Sequence, residues 1–260
     1  MKKYWLVFVT TIKEYFTYRL SFVLWRFRNL LNLLIIFFLW NAVLEKQPVF
    51  GSYNKETFLS YIIFVNLIVS FVMGTRTAEI ASDIQNSSII NLLLKPVSFF
   101  KYNFTRDLAD KVINLSFALI EALFLISVFK VTIVFPKNIG LFLVIFVLGT
   151  LIAYFINLTL SFVGFWTPEV WAPRFVFFMT ISFLSGTYFP LDLLPSIIYR
   201  LLLLTPFPYL FYLPTRLLIN KIPPDINLLI LGSFVWVFLG YFITKAVWKK
   251  GNREFSFWGR

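Results

Sequence analysis

Asp110, Asn114 and Glu121 are the residues of this chain best placed to do chemistry, because separations of 4 and 7 put two acids and an amide on one helical face in otherwise apolar sequence. Phe117 shares that face and interrupts it. A second stripe is cleaner: Thr150, Tyr154, Asn157, Ser161 and Gly164 follow one another at steps of 4, 3, 4 and 3. In hydrocarbon an unsatisfied polar group costs several kcal/mol, so such faces must meet protein or water. Asn114, Glu121, Thr150, Tyr154, Asn157 and Ser161 are therefore the candidate lining of a substrate path, and a helix-packing seam is the alternative use of the same faces. Glu121 lies deepest. It is protonated, paired with a cation, bonded to a neighbouring helix, or in contact with a substrate.

Other chemistry is excluded by what the chain lacks. With no Cys and no His, it cannot form disulfides, thiolate or imidazole metal sites, cysteine nucleophiles, histidine bases or a His-dependent triad. The twelve acids are scattered and give no metal-ligand spacing, so neither a metal site nor a catalytic residue is assigned. No glycine begins the Gly-x-x-x-x-Gly-Lys-Ser/Thr loop that cradles phosphates, and any ATP-driven work requires another polypeptide. The net charge of +12 fits cytoplasmic loops biased toward Lys and Arg better than it fits nucleic acid.

The elements that must position these residues are membrane helices. At 59% hydrophobic with 34 Phe, the chain carries more apolar side chain than a soluble core of its length can bury, and the fold class is all-α integral membrane. A span needs about 20 residues. Six segments qualify, at residues 20–44, 57–74, 111–129, 139–165, 175–189 and 226–247. Residues 1–18 read as an amphipathic interfacial helix, with Trp5, Phe8, Val9, Ile12 and Phe16 on one face and Lys3, Thr10, Lys13, Glu14 and Thr17 opposite. Lys2 and Lys3 precede an apolar run without a cleavage site, so this helix is expected to be retained. Arg19, Arg26 and Arg28 gather toward the inner end of the first span, where they snorkel to the interface or meet a lipid or substrate. An N-terminus inside places 17 of the 24 cations on the inner side, which predicts both termini in the cytoplasm. Residues 191–225 are apolar but broken by six prolines, predicting two short re-entrant helices in the outer leaflet rather than a seventh span at 196–213. The whole of residues 1–260 reads as one membrane domain.

Between the second and third spans lies a segment, residues 79–97, too polar to cross. It contains DIQNSSIINLLLKPV, residues 83–97. The polar break at Asn86, Ser87 and Ser88 offers helix caps, an aliphatic run follows at residues 89–94, and Pro96 disfavours helix at Lys95. This predicts a short helix held between spans. Farther along, FWTPEVWAPRFVFFMTISFLSGTYFPLDLLP, residues 165–195, and LLLLTPFPYLFYLPTRLLI, residues 201–219, present in order Trp166, Ser185 with Gly186, Phe189 with Pro190, Leu194 with Pro195, and Pro206, Phe207 and Tyr209. Together with the entry helix, this ordered set resembles the permease subunits of ABC-2-type (type-2 ABC) exporters across nearly the whole chain. It departs at Ser87, where the family pattern usually has Gly, so the sharp turn is expected at Asn86 instead.

The resemblance implies an export permease subunit in the cytoplasmic membrane, for a family whose substrates include drugs, peptides, lipids and glycans, and the aromatic content suits an amphipathic or lipid-like cargo. It implies partnership with two copies of an ABC ATPase, which bind the ATP and Mg, and with a second permease subunit, identical or related; the chain itself carries no cofactor. Asp83, Ser87, Ile89, Ile90, Leu92, Leu93, Lys95 and Pro96 are then the ATPase-coupling residues. A membrane-embedded lipid-modifying transferase, with Glu121 or Asp192 as base, and a non-transporting scaffold or sensor subunit are the alternatives.

Overall fold

A computed structural model describes residues 2–167 and 169–255. Its helices are α1 (Lys2–Thr17), α2 (Arg19–Lys46), α3 (Lys55–Val72), α4 (Thr77–Gln85), α5 (Ile89–Leu93), α6 (Phe99–Phe129), α7 (Ile139–Phe162), α8 (Trp171–Leu184), α9 (Ser196–Leu203), α10 (Phe207–Leu210), α11 (Tyr212–Leu218) and α12 (Ile226–Glu254). A two-stranded antiparallel hairpin, β1 (Val49–Phe50) and β2 (Tyr53–Asn54), joins α2 to α3. Among the described residues five segments are long and apolar enough to cross a membrane: α2, α3 continued into α4, α6, α7 with its 3-10 extension, and α12. At 14 residues α8 is apolar but short.

Local chemistry sets the ends of these helices. The Asn54 side chain accepts from Thr57 N at 2.9 Å and caps α3. At the other end of α3, the buried Lys111 ammonium donates to the carbonyls of Val72 and Gly74 at 3.0 and 2.9 Å and pairs with Asp107 at 3.1 Å. A cation at the negative end of α3 satisfies carbonyls that its last turn leaves open and fixes the break before α4.

The core is built around α3 and α7. Phe58, Tyr61, Ile62, Ile63, Val65 and Val72 of α3 are buried against Ile145 and Ile152 of α7 and against Tyr212, Leu213 and Leu217 of α11. At Gly149 a Cβ would stand 2.3 Å from the Tyr209 carbonyl oxygen, so α10 reaches α7 only because that position has no side chain. The apolar faces of α2 (Val23, Leu24, Phe27, Ile35) and α12 (Leu228, Leu231, Phe234, Phe238) remain exposed.

Several expectations are corrected. The third long helix begins at Phe99 rather than at residue 111, because α1 and α4 supply partners for its polar first turns. Residues 191–225 hold three short α-helices after a 3-10 turn, where two were expected, and the break between α9 and α10 rules out one continuous helix over 196–213. The amphipathic α1 forms as expected. The strip that meets protein, however, lies between its polar and apolar faces: Thr11 is buried, Tyr15 bonds Asp110 of α6 and Glu14 pairs with Arg76, whereas Thr10, Lys13 and Thr17 on one side and Trp5 and Phe16 on the other stay exposed.

Candidate functional site

Arg76, at the start of α4, ties three helices together. Its guanidinium donates to Asp110 of α6 at 2.8 Å, pairs with Glu14 of α1 and lies 3.8 Å from Glu79 of α4. Arg106 of α6 closes the set on Glu79 at 2.6 Å. Burial and the Asp110 carboxylate raise the Tyr15 phenol well above its ordinary range, keeping it a proton donor to that acid. Arg76 and Asp110, the most enclosed of these charges, hold their places because each has an opposite partner.

The polar segment after this network forms as α4, a tight turn and α5. Ser87 itself takes the left-handed conformation, with φ of 58°, while Asn86 stays at −84°, correcting the expected position of the turn. Ser88 contributes no side-chain cap to α5; its hydroxyl reaches back to Asp83 Oδ1 at 2.8 Å and braces the turn. Ile89 is buried with Ile80, Ile84, Phe99, Leu158 and Phe162, and Ile90 and Leu92 pack beside it. Leu93 is exposed, Leu94 is 80% exposed, and Lys95 and Pro96 are exposed too. Lys3 of α1 donates to the Pro96 carbonyl at 2.9 Å, so the segment is anchored at both ends. Of the eight coupling residues, Ile89 thus faces the chain's own helices, and the outward apolar edge consists of Leu93 together with Leu94.

The two polar stripes divide. Glu121 pairs with Arg26 of α2 at 2.5 Å, with side chains only 11% and 6% exposed, and Arg26 also reaches Asn114 Oδ1 at 3.5 Å. Thr150 bonds its own helix, Tyr154 packs edge-on to Phe104, and Ser161 donates to the Thr77 carbonyl at 2.6 Å. Gly164 admits Ala81 of α4 closely. These are packing contacts. Asp192 accepts from Tyr53 at 2.8 Å and lies 3.7 Å from Arg216, a structural pairing at the opposite end of the bundle.

Space for a ligand lies elsewhere. A cleft of about 880 Å³ opens between α2, α3, α4 and α8, lined by Asn29 and Asn32 of α2, Asn66 and Ser70 of α3, and Arg174 and Ser182 of α8. Of the candidate path residues only Asn157 reaches it. Sequence reasoning missed this lining, although the signal was present. Trp25, Arg28, Asn29 and Asn32 share one face of α2, as do Asn66, Val69, Ser70 and Met73 on α3. Trp171, Phe175 and Phe178 add aromatic walls.

A family model described as "ABC-2 family transporter protein" matches residues 30–259. No curated protein matches the chain.

Proposed function

The chain belongs to the ABC-2 family of transporter proteins, and from that premise we propose that this membrane permease component couples ATP hydrolysis on a separate ATPase to export of an amphipathic or lipid-like substrate. The observation that carries the coupling half is the two-sidedness of α5. Ile89 is locked among Phe99, Leu158 and Phe162, so force on α5 reaches α6 and α7 directly, while Leu93 and Leu94 stand free for a groove on the ATPase. Arg76 and Arg106 stiffen the same joint by linking α4 to α1 and α6.

The cleft supports the transport half. Polar side chains on α2, α3 and α8 meet across a space large enough for a small amphiphile, and aromatic rings flank them. In this reading α8 is a sixth crossing. Arg174 near its start bonds Ser161 of α7 and Thr77 of α4, and beyond its end Trp40 and Tyr61 bond the carbonyls of Tyr188 and Gly186. Fourteen residues rise about 21 Å, and the non-helical residues after Leu184 supply the remaining length. Residues 191–218 then dip among the outer helix ends. A second permease copy, or a related chain, faces this cleft, and two ATPase subunits sit beneath.

The test is a pair of substitutions at the outward edge. Leu93→Asp and Leu94→Asp each bury an unpartnered carboxylate if that edge docks, which costs several kcal/mol, and should cut ATPase co-purification at least about tenfold. Insertion and yield should stay normal, since neither residue lies in a span, and Ser52→Asp in the hairpin should change nothing. Full ATPase retention and transport in both variants would refute the assignment of α5 as the coupling element. Robust ATP hydrolysis by the pure chain would refute the permease reading as a whole.

A further inference from the structure

Resting on the reading of the cleft as the substrate's route, we propose that its ligand carries an anionic head group, a phosphate or carboxylate attached to an apolar body, held by Arg174 and Arg28. Arg174 is half-buried, and its described contacts are all neutral: Ser161 Oγ at 2.8 Å, the Asn157 carbonyl at 3.3 Å and Thr77 Oγ1 at 3.3 Å. Among the described residues no carboxylate lies within ion-pair distance of it. The contrast with Arg26, Arg76 and Arg106 is direct, since each of those guanidiniums has an acid within 3 Å. A cation drawn in from water without a counter-charge is costly, and an anion in the cleft removes that cost through charge-assisted, forked hydrogen bonds.

The α2 wall repeats the pattern. Arg28 lines the same cleft and makes no ion pair or hydrogen bond among the described residues. Asn29, Asn32 and Asn66 likewise line it with no described side-chain partner, leaving amide donors free for the oxygens of a head group. Among the described residues Glu169 is the one acid in the lining; it is exposed, and its Oε1 already accepts from Ala172 N at 3.2 Å. Trp25, Trp171, Phe175 and Phe178 give an apolar body somewhere to lie.

The test uses the purified full-length permease in detergent, with retained lipid counted by native mass spectrometry. Dioleoylphosphatidylglycerol and dioleoylphosphatidylcholine are supplied at equal mole fraction, and inorganic phosphate forms a third arm. Anionic lipid should be retained over zwitterionic lipid by about tenfold. Arg28→Gln and Arg174→Gln should each bring the ratio close to parity, and Lys245→Gln, on the exposed face of α12, should leave it unchanged. Arg28 is exposed and makes no ion pair or hydrogen bond among the described residues, so its variant remains informative if Arg174→Gln folds poorly. Parity in the native protein, or a preference that survives both arginine changes, overturns the proposal. Displacement of the lipid by millimolar phosphate alone overturns it as well, because the site would then serve a free anion rather than an amphiphile. Binding is read without the ATPase, so this result and the Leu93 and Leu94 results succeed or fail separately.

Discussion

Glu121 illustrates how much a single partner decides. Depth in a span marks it as functional by default, but Arg26 donates from Nε to its Oε1 at 2.9 Å and brings Nη2 to 2.5 Å from its Oε2, and neither residue lines the cleft. Removing one member of a buried pair strands the other charge, at a cost of about 3–5 kcal/mol. Glu121→Ala is therefore expected to lower folded yield and thermal stability in detergent. The double change Arg26→Met with Glu121→Met should recover most of the loss, because it removes both charges together. A single variant with wild-type stability and absent transport would return Glu121 to the path.

Among the elements, α7 is the one against which the others are set, and its glycines mark where. The Gly149→Ala methyl meets the Tyr209 carbonyl at 2.3 Å, a backbone atom that cannot rotate away. Overpacking of this kind costs about 1–3 kcal/mol. Thermal unfolding should show that loss for Gly149→Ala and none for Gly140→Ala, where no atom lies within 4 Å of the added carbon and Ala is the better helix former. Equal melting of the two variants would mean that α10 does not rest on α7. The same close packing explains the Pro206, Phe207 and Tyr209 run as structure. Pro206 precedes α10, and the Tyr209 hydroxyl donates to the Leu203 carbonyl at 3.0 Å, so the run holds the outer helices to α7. Gly186, with φ of 78°, similarly makes the turn whose carbonyl Tyr61 bonds at 2.6 Å.

For the molecule as a whole, the first and last helices meet at the start of α6. Tyr4 of α1 accepts from Ser98 N, and Trp248 of α12 stacks on Phe99 with ring centroids 4.5 Å apart. With α8 as the proposed sixth crossing the count is expected to be even, and the absence of cysteine makes that expectation directly measurable. Single cysteines at the exposed positions Ser52, Asn138 and Ser196 should react with an impermeant thiol reagent in intact cells. Those at Ser98 and Asn252, also exposed, should react only after permeabilisation. Labelling of position 252 from outside, with position 98 still protected, would require an odd count and would remove α8 as a crossing.

By itself the sequence determined the membrane class, the long apolar helices, the entry helix and the short helix between polar breaks, together with the family that their order resembles. Each of these is written in local composition and periodicity, and the strongest side-chain signals, Asp110 and Glu121, were legible because charge in apolar sequence is conspicuous. What those charges do was decided only by tertiary structure. Arg26 lies 95 residues from Glu121 and Asp110 lies 34 from Arg76, and nothing local announces either pairing. The tertiary fold also turned Ile89 inward and left Leu94 outside, a division invisible in a run where five of six residues are aliphatic. The cleft escaped the sequence for the same reason. Asn29, Asn32, Asn66 and Arg174 are ordinary singly, and they come to line one cleft only because α2, α3 and α8 bring them to one space, with the three asparagines lacking a described side-chain partner and the arginine lacking a described counter-charge.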